Sequence, residues 1–337
     1  YLYCIQAFAL AYHGELPTIF PLTPMLMAVP LLIAGPSKAT FLSLNVVVGG
    51  LLVIPTYQLA RRWLNAEASL AVAAVTAFSP MMIWSSAHAL TEPLFIFLAI
   101  YFILLSLSDR KYVAAASGVL GGLAYLCRYP TLILLVAMAA YHVLSYRRIH
   151  ALLLATSFLA VAASWQLLSY ILTGGIFQTE MYSIVKTLGA PMGLYLEALP
   201  FMALKVSIGL FIVFTPLIPF IPFLEVERLR KEGFLFMIIA AWLLVHLGYY
   251  VYQSLNTYAV KGTVIAAERV ARWSLPITPF LATALMKEVR GRLLLIATLI
   301  SIALSTTLGL YLVSYTNHHA ALQLTWSDFL AELGAGA

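Results

Sequence analysis

Long apolar runs recur along the whole chain with almost no charge to interrupt them, and that pattern leaves few folds open. A helix needs about 20 predominantly apolar residues to cross a bilayer. Ten segments approach that length: 39–60, 68–88, 92–108, 112–128, 130–146, 150–172, 201–224, 233–252, 271–286 and 293–315. Only 9% of the residues are charged, against roughly 25% in an ordinary soluble domain. That is too little charge to cover a soluble surface. In hydrocarbon the backbone must satisfy its own N–H and C=O groups, so such segments fold as helices. The expected fold is an all-α, polytopic transmembrane helical bundle with about ten spans. Cys4 and Cys127 follow no metal or redox spacing and read as buried thiols.

Lys and Arg in the connections set the orientation. Twelve of the 19 lie in tight clusters beside alternate span ends: Arg61 and Arg62; Arg110 and Lys111; Arg147 and Arg148; Arg228, Arg230 and Lys231; Lys287, Arg290 and Arg292. These are placed in the cytoplasm, which puts both chain ends outside. The chain starts at Tyr1 without a signal-peptide pattern. An outer N-terminus of that kind implies an earlier span upstream, giving eleven or more in the intact protein. The expected division is a membrane module over 1–315, with 1–38 as its first outer loop, and an outer tail over 316–337.

Seven cations remain on the outer side: Lys38, Arg128, Lys186, Lys205, Lys261, Arg269 and Arg272. A cation held near the membrane there either pairs with an anion, such as a phosphate, or snorkels to lipid headgroups. The first outer loop is too rich in proline for a clean span. It reads as two short interfacial helices, Tyr1 to Tyr12 and Met25 to Ala34, around a break that contains Glu15. Thr91 has the character of an N-cap, with Glu92 and Pro93 in the first turn that follows. Glu92 is thus either a capping carboxylate or a functional one, with His88 four residues before it. Arg128 sits in a turn too small to let it escape into water. Glu268 and Arg272 have the spacing of a surface ion pair. Arg269 and Arg272 also share a helical face at the membrane boundary beside Trp273, which suits an anionic lipid headgroup.

Taken in order, these segments resemble the GT-C superfamily of membrane glycosyltransferases, in particular its protein mannosyltransferase-like and aminoarabinose transferase-like members. The matching pieces are Tyr3 with Pro21-Leu22-Thr23-Pro24, Leu59-Ala60-Arg61-Arg62-Trp63, Ala89-Leu90-Thr91-Glu92-Pro93-Leu94-Phe95, Gly122-Leu123-Ala124-Tyr125-Leu126-Cys127-Arg128-Tyr129, and Arg272-Trp273-Ser274-Leu275-Pro276.

The resemblance implies transfer of a hexose or pentose from a polyprenyl-phosphate-linked donor to an acceptor hydroxyl. The acceptor would be a lipid, glycan or protein, and the reaction would run on the outer face of the plasma membrane. It implies Arg128, Arg269, Arg272 and Lys261 as ligands of the lipid phosphate. Glu92 takes the family's second acidic position, near the acceptor or a metal. Tyr3, His88 and Glu15 are neighbours of that site. The family's general base falls a few residues before Tyr1. The resemblance names no certain cofactor and leaves a divalent cation open; no protein metal site and no nucleic-acid partner is expected. The alternatives are a multispan transporter or lipid flippase and a non-catalytic scaffold. A transporter places ionisable groups near the bilayer midplane, and here only Lys205, His246 and His142 could lie inside spans.

Overall fold

The computed structural model describes residues 2–15, 17, 20–173, 192–223, 234, 238–244, 248, 250, 251, 254, 267–287 and 289–320. Every regular element among them is helical. The segment expected as the first outer loop holds α1 (Leu2–His13) and α2 (Leu22–Ala34), which pack against each other. Gly35 ends α2 at φ 73°, a backbone conformation that residues with a Cβ rarely adopt. Ser37 then caps α3 (Lys38–Leu51) by accepting from the Thr40 N–H at 3.1 Å. The chain passes through Leu52 into α4 (Val53–Ala60).

The expected span 68–88 is two helices, α5 (Ala66–Ala77) and α6 (Pro80–Ser86), bent by 53° at their junction. Pro80 explains the break: it lacks an N–H and its ring clashes with a preceding helical turn, so it sits at the first position of a new helix. Next come α7 (Glu92–Ser106), α8 (Lys111–Cys127), α9 (Thr131–Leu144) and α10 (Arg148–Thr173). Then α11 (Met192–Phe214) runs into a 3₁₀ segment, Thr215–Phe223. The expected span 271–286 is also broken, into α12 (Ala267–Ser274), a 3₁₀ turn at Leu275–Ile277, and α13 (Thr278–Leu285). Last is α14 (Gly291–Ala320), which extends past the expected end at 315.

Among the described residues, four stretches are each long and apolar enough to cross a membrane: Lys38–Ala60, Arg148–Ile171, Ala198–Phe223 and Gly291–Ser314. The bent pair α5–α6 makes a fifth, while α2, α7, α8 and α9 are apolar but shorter.

The centre of the bundle is α7, which is apolar on all sides. Phe95, Ile96, Ile100, Phe102 and Ile103 are fully buried, and α3, α4, α8 and α9 pack around it. Between α8 and α10 the backbones nearly touch. A Cβ on Gly118 would collide with the Leu154 carbonyl, and one on Gly122 would come within 2.6 Å of Val161 Cβ. Lipid supplies no hydrophobic force between helices, so this close packing is itself the stabilising contact. Gly118→Val is expected to destabilise the protein by about 1–3 kcal/mol or more through overpacking, read as a lower thermal unfolding midpoint in detergent. An unchanged midpoint would contradict the close approach.

A second tie crosses the bundle at the 3₁₀ segment. A 3₁₀ turn would pair the Pro216 carbonyl with the N–H three residues on, but that residue is Pro219. The Ser301 hydroxyl of α14 donates to the Pro216 carbonyl instead.

The two ends of the bundle differ chemically. Glu92 opens α7 and Arg128 follows α8, so both lie at one end. Arg61, Arg110 and Arg147 follow α4, α7 and α9 at the other. There Arg147 pairs with Asp109 at 2.7 Å, and His150 is hydrogen-bonded to the Asp109 carbonyl at 3.0 Å.

Candidate active site

Three ionisable side chains far apart in sequence meet at the first of these ends. Glu92 Oε1 accepts from Arg128 Nη1 at 2.6 Å and from Arg272 Nε at 2.6 Å. Glu92 is fully buried, and the two arginine side chains keep only 11% and 19% of their exposure. Each residue is placed by ordinary local chemistry. Glu92 occupies the first turn of α7, where a carboxylate meets the positive end of the helix. Arg128 closes α8, its N–H bonding the Ala124 carbonyl at 2.9 Å. Its own carbonyl receives the Thr131 hydroxyl at 2.7 Å, so the turn to α9 is tied on both sides. Arg272 lies in the last turn of α12, where a cation suits the negative helix end. Its guanidinium also stands 5.7 Å from the ring centre of Trp84.

Among the described residues, two guanidiniums meet one carboxylate in this buried cluster. The second carboxylate oxygen, Glu92 Oε2, is buried with no hydrogen-bond partner among the described residues. Two guanidiniums on one oxygen make Glu92 a poor ligand for a divalent cation. No group of three His, Cys, Asp or Glu side chains gathers among the described residues.

Tyr3 reaches the cluster from α1. Burial raises its pKa, and the Glu92 charge raises it further against the opposing pull of Arg128 and Arg272. The phenol therefore stays protonated and can donate. His88 lies in the connection before α7, its Nδ1 2.7 Å from the Trp84 carbonyl and its ring 4.6 Å from the Trp84 ring. Burial is the main cause of its lowered pKa. The Trp84 hydrogen bond opposes that shift, and the charges of Arg272 and Lys38 add to it.

Of the residues expected at the site, the structure thus brings together Glu92, Arg128, Arg272, Tyr3 and His88. It does not bring Glu15 there: that side chain is exposed, and no contact joins it to Glu92 or the arginines among the described residues. Lys261 and the side chain of Arg269 lie outside the described residues. The expected N-cap is not formed either. Thr91 has helical dihedrals and makes no capping bond; its hydroxyl interacts with the Tyr3 phenol instead. Arg272 bonds the distant Glu92, while the side chain of Glu268, its expected surface partner, lies outside the described residues.

Asn45 is the residue that sequence reasoning missed. It is fully buried in α3, and its Nδ2 donates to the carbonyls of His88 at 2.6 Å, Leu90 at 2.8 Å and Ser85 at 3.3 Å. Three acceptors around one amide fix its orientation, because an oxygen there would meet only oxygens. The amide pins the connection that delivers Glu92. The available signal was a lone asparagine inside an apolar span, which must find a partner in the protein. Asn45→Ala is expected to cost about 1–3 kcal/mol from carbonyls left without a donor. Both the unfolding midpoint and the rate of any reaction that depends on Glu92 should fall. Asn45→Asp, which sets carboxylate oxygens against the carbonyls, should be worse.

Residues 17–167 match the family model of dolichyl-phosphate-mannose-protein mannosyltransferase. The fold is similar to the crystal structure of ArnT from Cupriavidus metallidurans bound to undecaprenyl phosphate, with TM-score 0.62 and 16% identity over 86% of this chain and 55% of that one. It is also similar to ArnT in the apo state, with TM-score 0.58 and 15% identity over 84% of this chain and 53% of that one. The chain therefore spans about half the length of the ArnT structures. No curated protein matches it. The expected resemblance is borne out at the level of the fold: this is an integral membrane protein, helical in every regular element of its described residues, and it shares the fold of the ArnT structures.

Proposed function

We propose that the protein transfers a sugar, a hexose or a pentose, from a polyprenyl-phosphate donor to an acceptor hydroxyl at the outer face of the plasma membrane. The observation that carries this reading is the buried Glu92–Arg128–Arg272 cluster, which gathers two guanidiniums at one helix end. Such a site favours an anion. The structure with the same fold that holds undecaprenyl phosphate supports a lipid phosphate as that anion.

In the reaction, the bond between the anomeric carbon and a phosphate oxygen breaks as the acceptor oxygen bonds to that carbon. The leaving lipid phosphate takes the bonding electrons. Arg128 and Arg272 stabilise the charge that builds there, in a site preorganised by Glu92. Lys261 and Arg269 serve as further phosphate ligands. Tyr3 donates a hydrogen bond to the bound donor, and His88 supports it through Trp84. The acceptor proton passes to a general base. The positioning of the cluster at helix ends, with none of its members mid-helix, suits a surface reaction better than a transport pathway.

The test is transfer of radiolabelled sugar from a polyprenyl-phosphate donor by the full-length protein in membranes. Labelled lipid, glycan or protein product supports the reading. A full-length, folded protein that transfers label from no such donor would contradict it.

A further inference from the structure

At the far end of α7, roughly 20 Å along the helix from Glu92 at 1.5 Å per residue, a cleft of about 390 Å³ opens between the end of α4 and the α7–α8 turn. Leu104, Leu105 and Val113 form its apolar wall, and Arg61, Arg62 and Ser108 its polar side. Arg61 is oriented by the bond from its Nη1 to the Leu64 carbonyl at 2.7 Å. Arg62 is exposed and has no partner among the described residues. Arg110 and Lys111 follow Ser108 in sequence, and Arg110 Nη1 is bonded only to a neutral group, the Tyr112 hydroxyl at 2.7 Å. Two acids lie near in sequence, and neither is shown to neutralise the cleft. Asp109 is paired with Arg147 at 2.7 Å, and Glu67 sits in the first turn of α5, where the helix end takes up its charge.

We infer that this cleft binds the phosphate headgroup of an anionic glycerophospholipid, at the bundle end opposite the Glu92 cluster. Charge complementarity sets the sign of the ligand, because Arg61 and Arg62 line the space and no acid does among the described residues. The apolar wall selects a lipid over free phosphate. Leucine and valine offer an inorganic anion no donors, whereas they continue the surface along which acyl chains lie. Ile54 of α4, about two helical turns before Arg61, is exposed and extends that surface. A fork of planar guanidiniums matches phosphate oxygens bidentately. The site is independent of the proposed transfer reaction, since it shares no residue with the Glu92 cluster.

The experiment is native mass spectrometry of the full-length protein titrated with phosphatidylglycerol or with phosphatidylcholine of the same acyl chains. Wild type should retain phosphatidylglycerol preferentially. That preference should fall about fivefold for each guanidinium removed, taking about 1 kcal/mol per basic residue at the membrane surface. Arg61→Gln/Arg62→Gln should therefore nearly erase it, while Arg290→Gln/Arg292→Gln, which removes cations outside the cleft, should keep it. Leu105→Trp fills the cleft without changing charge and should also erase it, which separates the site from a diffuse surface potential. Equal retention of both lipids by wild type would overturn the inference. So would equal loss in the Arg290/Arg292 variant, or displacement of the lipid by millimolar inorganic phosphate.

Discussion

Replacing Glu92 by alanine is expected to destabilise this protein more than any other single change at the cluster. The carboxylate is fully buried and accepts from two guanidiniums through one oxygen. Without it, two positive charges face each other in a site that keeps little contact with water. Breaking a buried pair by removing one partner typically costs about 3–5 kcal/mol. The residual exposure of Arg128 and Arg272, 11% and 19%, should hold the cost toward the lower end. Glu92→Gln keeps the shape and the acceptor oxygen but loses the charge, so its cost should be intermediate.

The informative variant removes all three charges together. Buried ion networks replaced by apolar residues of similar volume are often neutral or stabilising. Glu92→Leu combined with Arg128→Leu and Arg272→Leu should therefore regain much of the stability that Glu92→Ala loses, measured by thermal unfolding in detergent. Sugar transfer should stay at background. If transfer returned with stability, the cluster would be structural only.

The second large effect concerns Arg272. Without its charge Glu92 still pairs with Arg128. The fold should survive, since the helix ends around the site are held by backbone and hydroxyl bonds such as those at Arg128 and Thr131. The expected loss is in rate: removing one preorganised group that stabilises developing charge costs on the order of 100- to 1,000-fold in kcat. A fall in kcat with donor KM little changed would place the interaction in the transition state, whereas a rise in KM alone would mean uniform binding of the lipid phosphate. Arg272→Lys should recover only part of the rate. A point charge cannot reproduce the planar fork that reaches Glu92 through Nε and leans over Trp84. Normal transfer by Arg272→Gln would remove Arg272 from the site.

Much of this arrangement was legible one residue at a time. A chain with so little charge makes each ionisable group at a span end conspicuous, and Glu92, Arg128 and Arg272 stood out on that ground. What the sequence could not show was that one carboxylate holds both arginines. That pairing joins residues 36 and 180 positions apart, and no local spacing encodes it. The separate readings, phosphate ligands on one side and an acidic position on the other, become a single unit in the structure. Thr91 misled because a threonine before Glu-Pro fits a cap by composition. It has helical dihedrals, and its hydroxyl meets Tyr3 of α1, a residue far away in sequence. Asn45 was hidden for the opposite reason. One amide barely lowers the hydropathy of its span, and its role appears only when the connection after α6 folds over it.

Among the described residues the helices followed the hydropathy, apart from the 3₁₀ segment Thr215–Phe223 and two places where a proline divides an expected span; the expected span 233–252 lies largely outside the described residues. Pro80 and Pro276 interrupt the ladder without lowering the local apolar content, so a count of apolar residues passes over them. The second break has a functional consequence. It makes α12 a short separate helix whose last turn presents Arg272 to Glu92, an arrangement that one continuous span through 271–286 would not produce.

The central claim is that Glu92 arranges Arg128 and Arg272 for a lipid phosphate. Its most direct test is a cryo-electron microscopy structure of the full-length protein with undecaprenyl phosphate. The phosphate oxygens are expected about 2.7–2.9 Å from guanidinium nitrogens of Arg128 and Arg272, the range of a charge-assisted hydrogen bond, with Glu92 still bridging the pair. A lipid phosphate bound elsewhere, with both arginines turned only toward Glu92, would contradict the account.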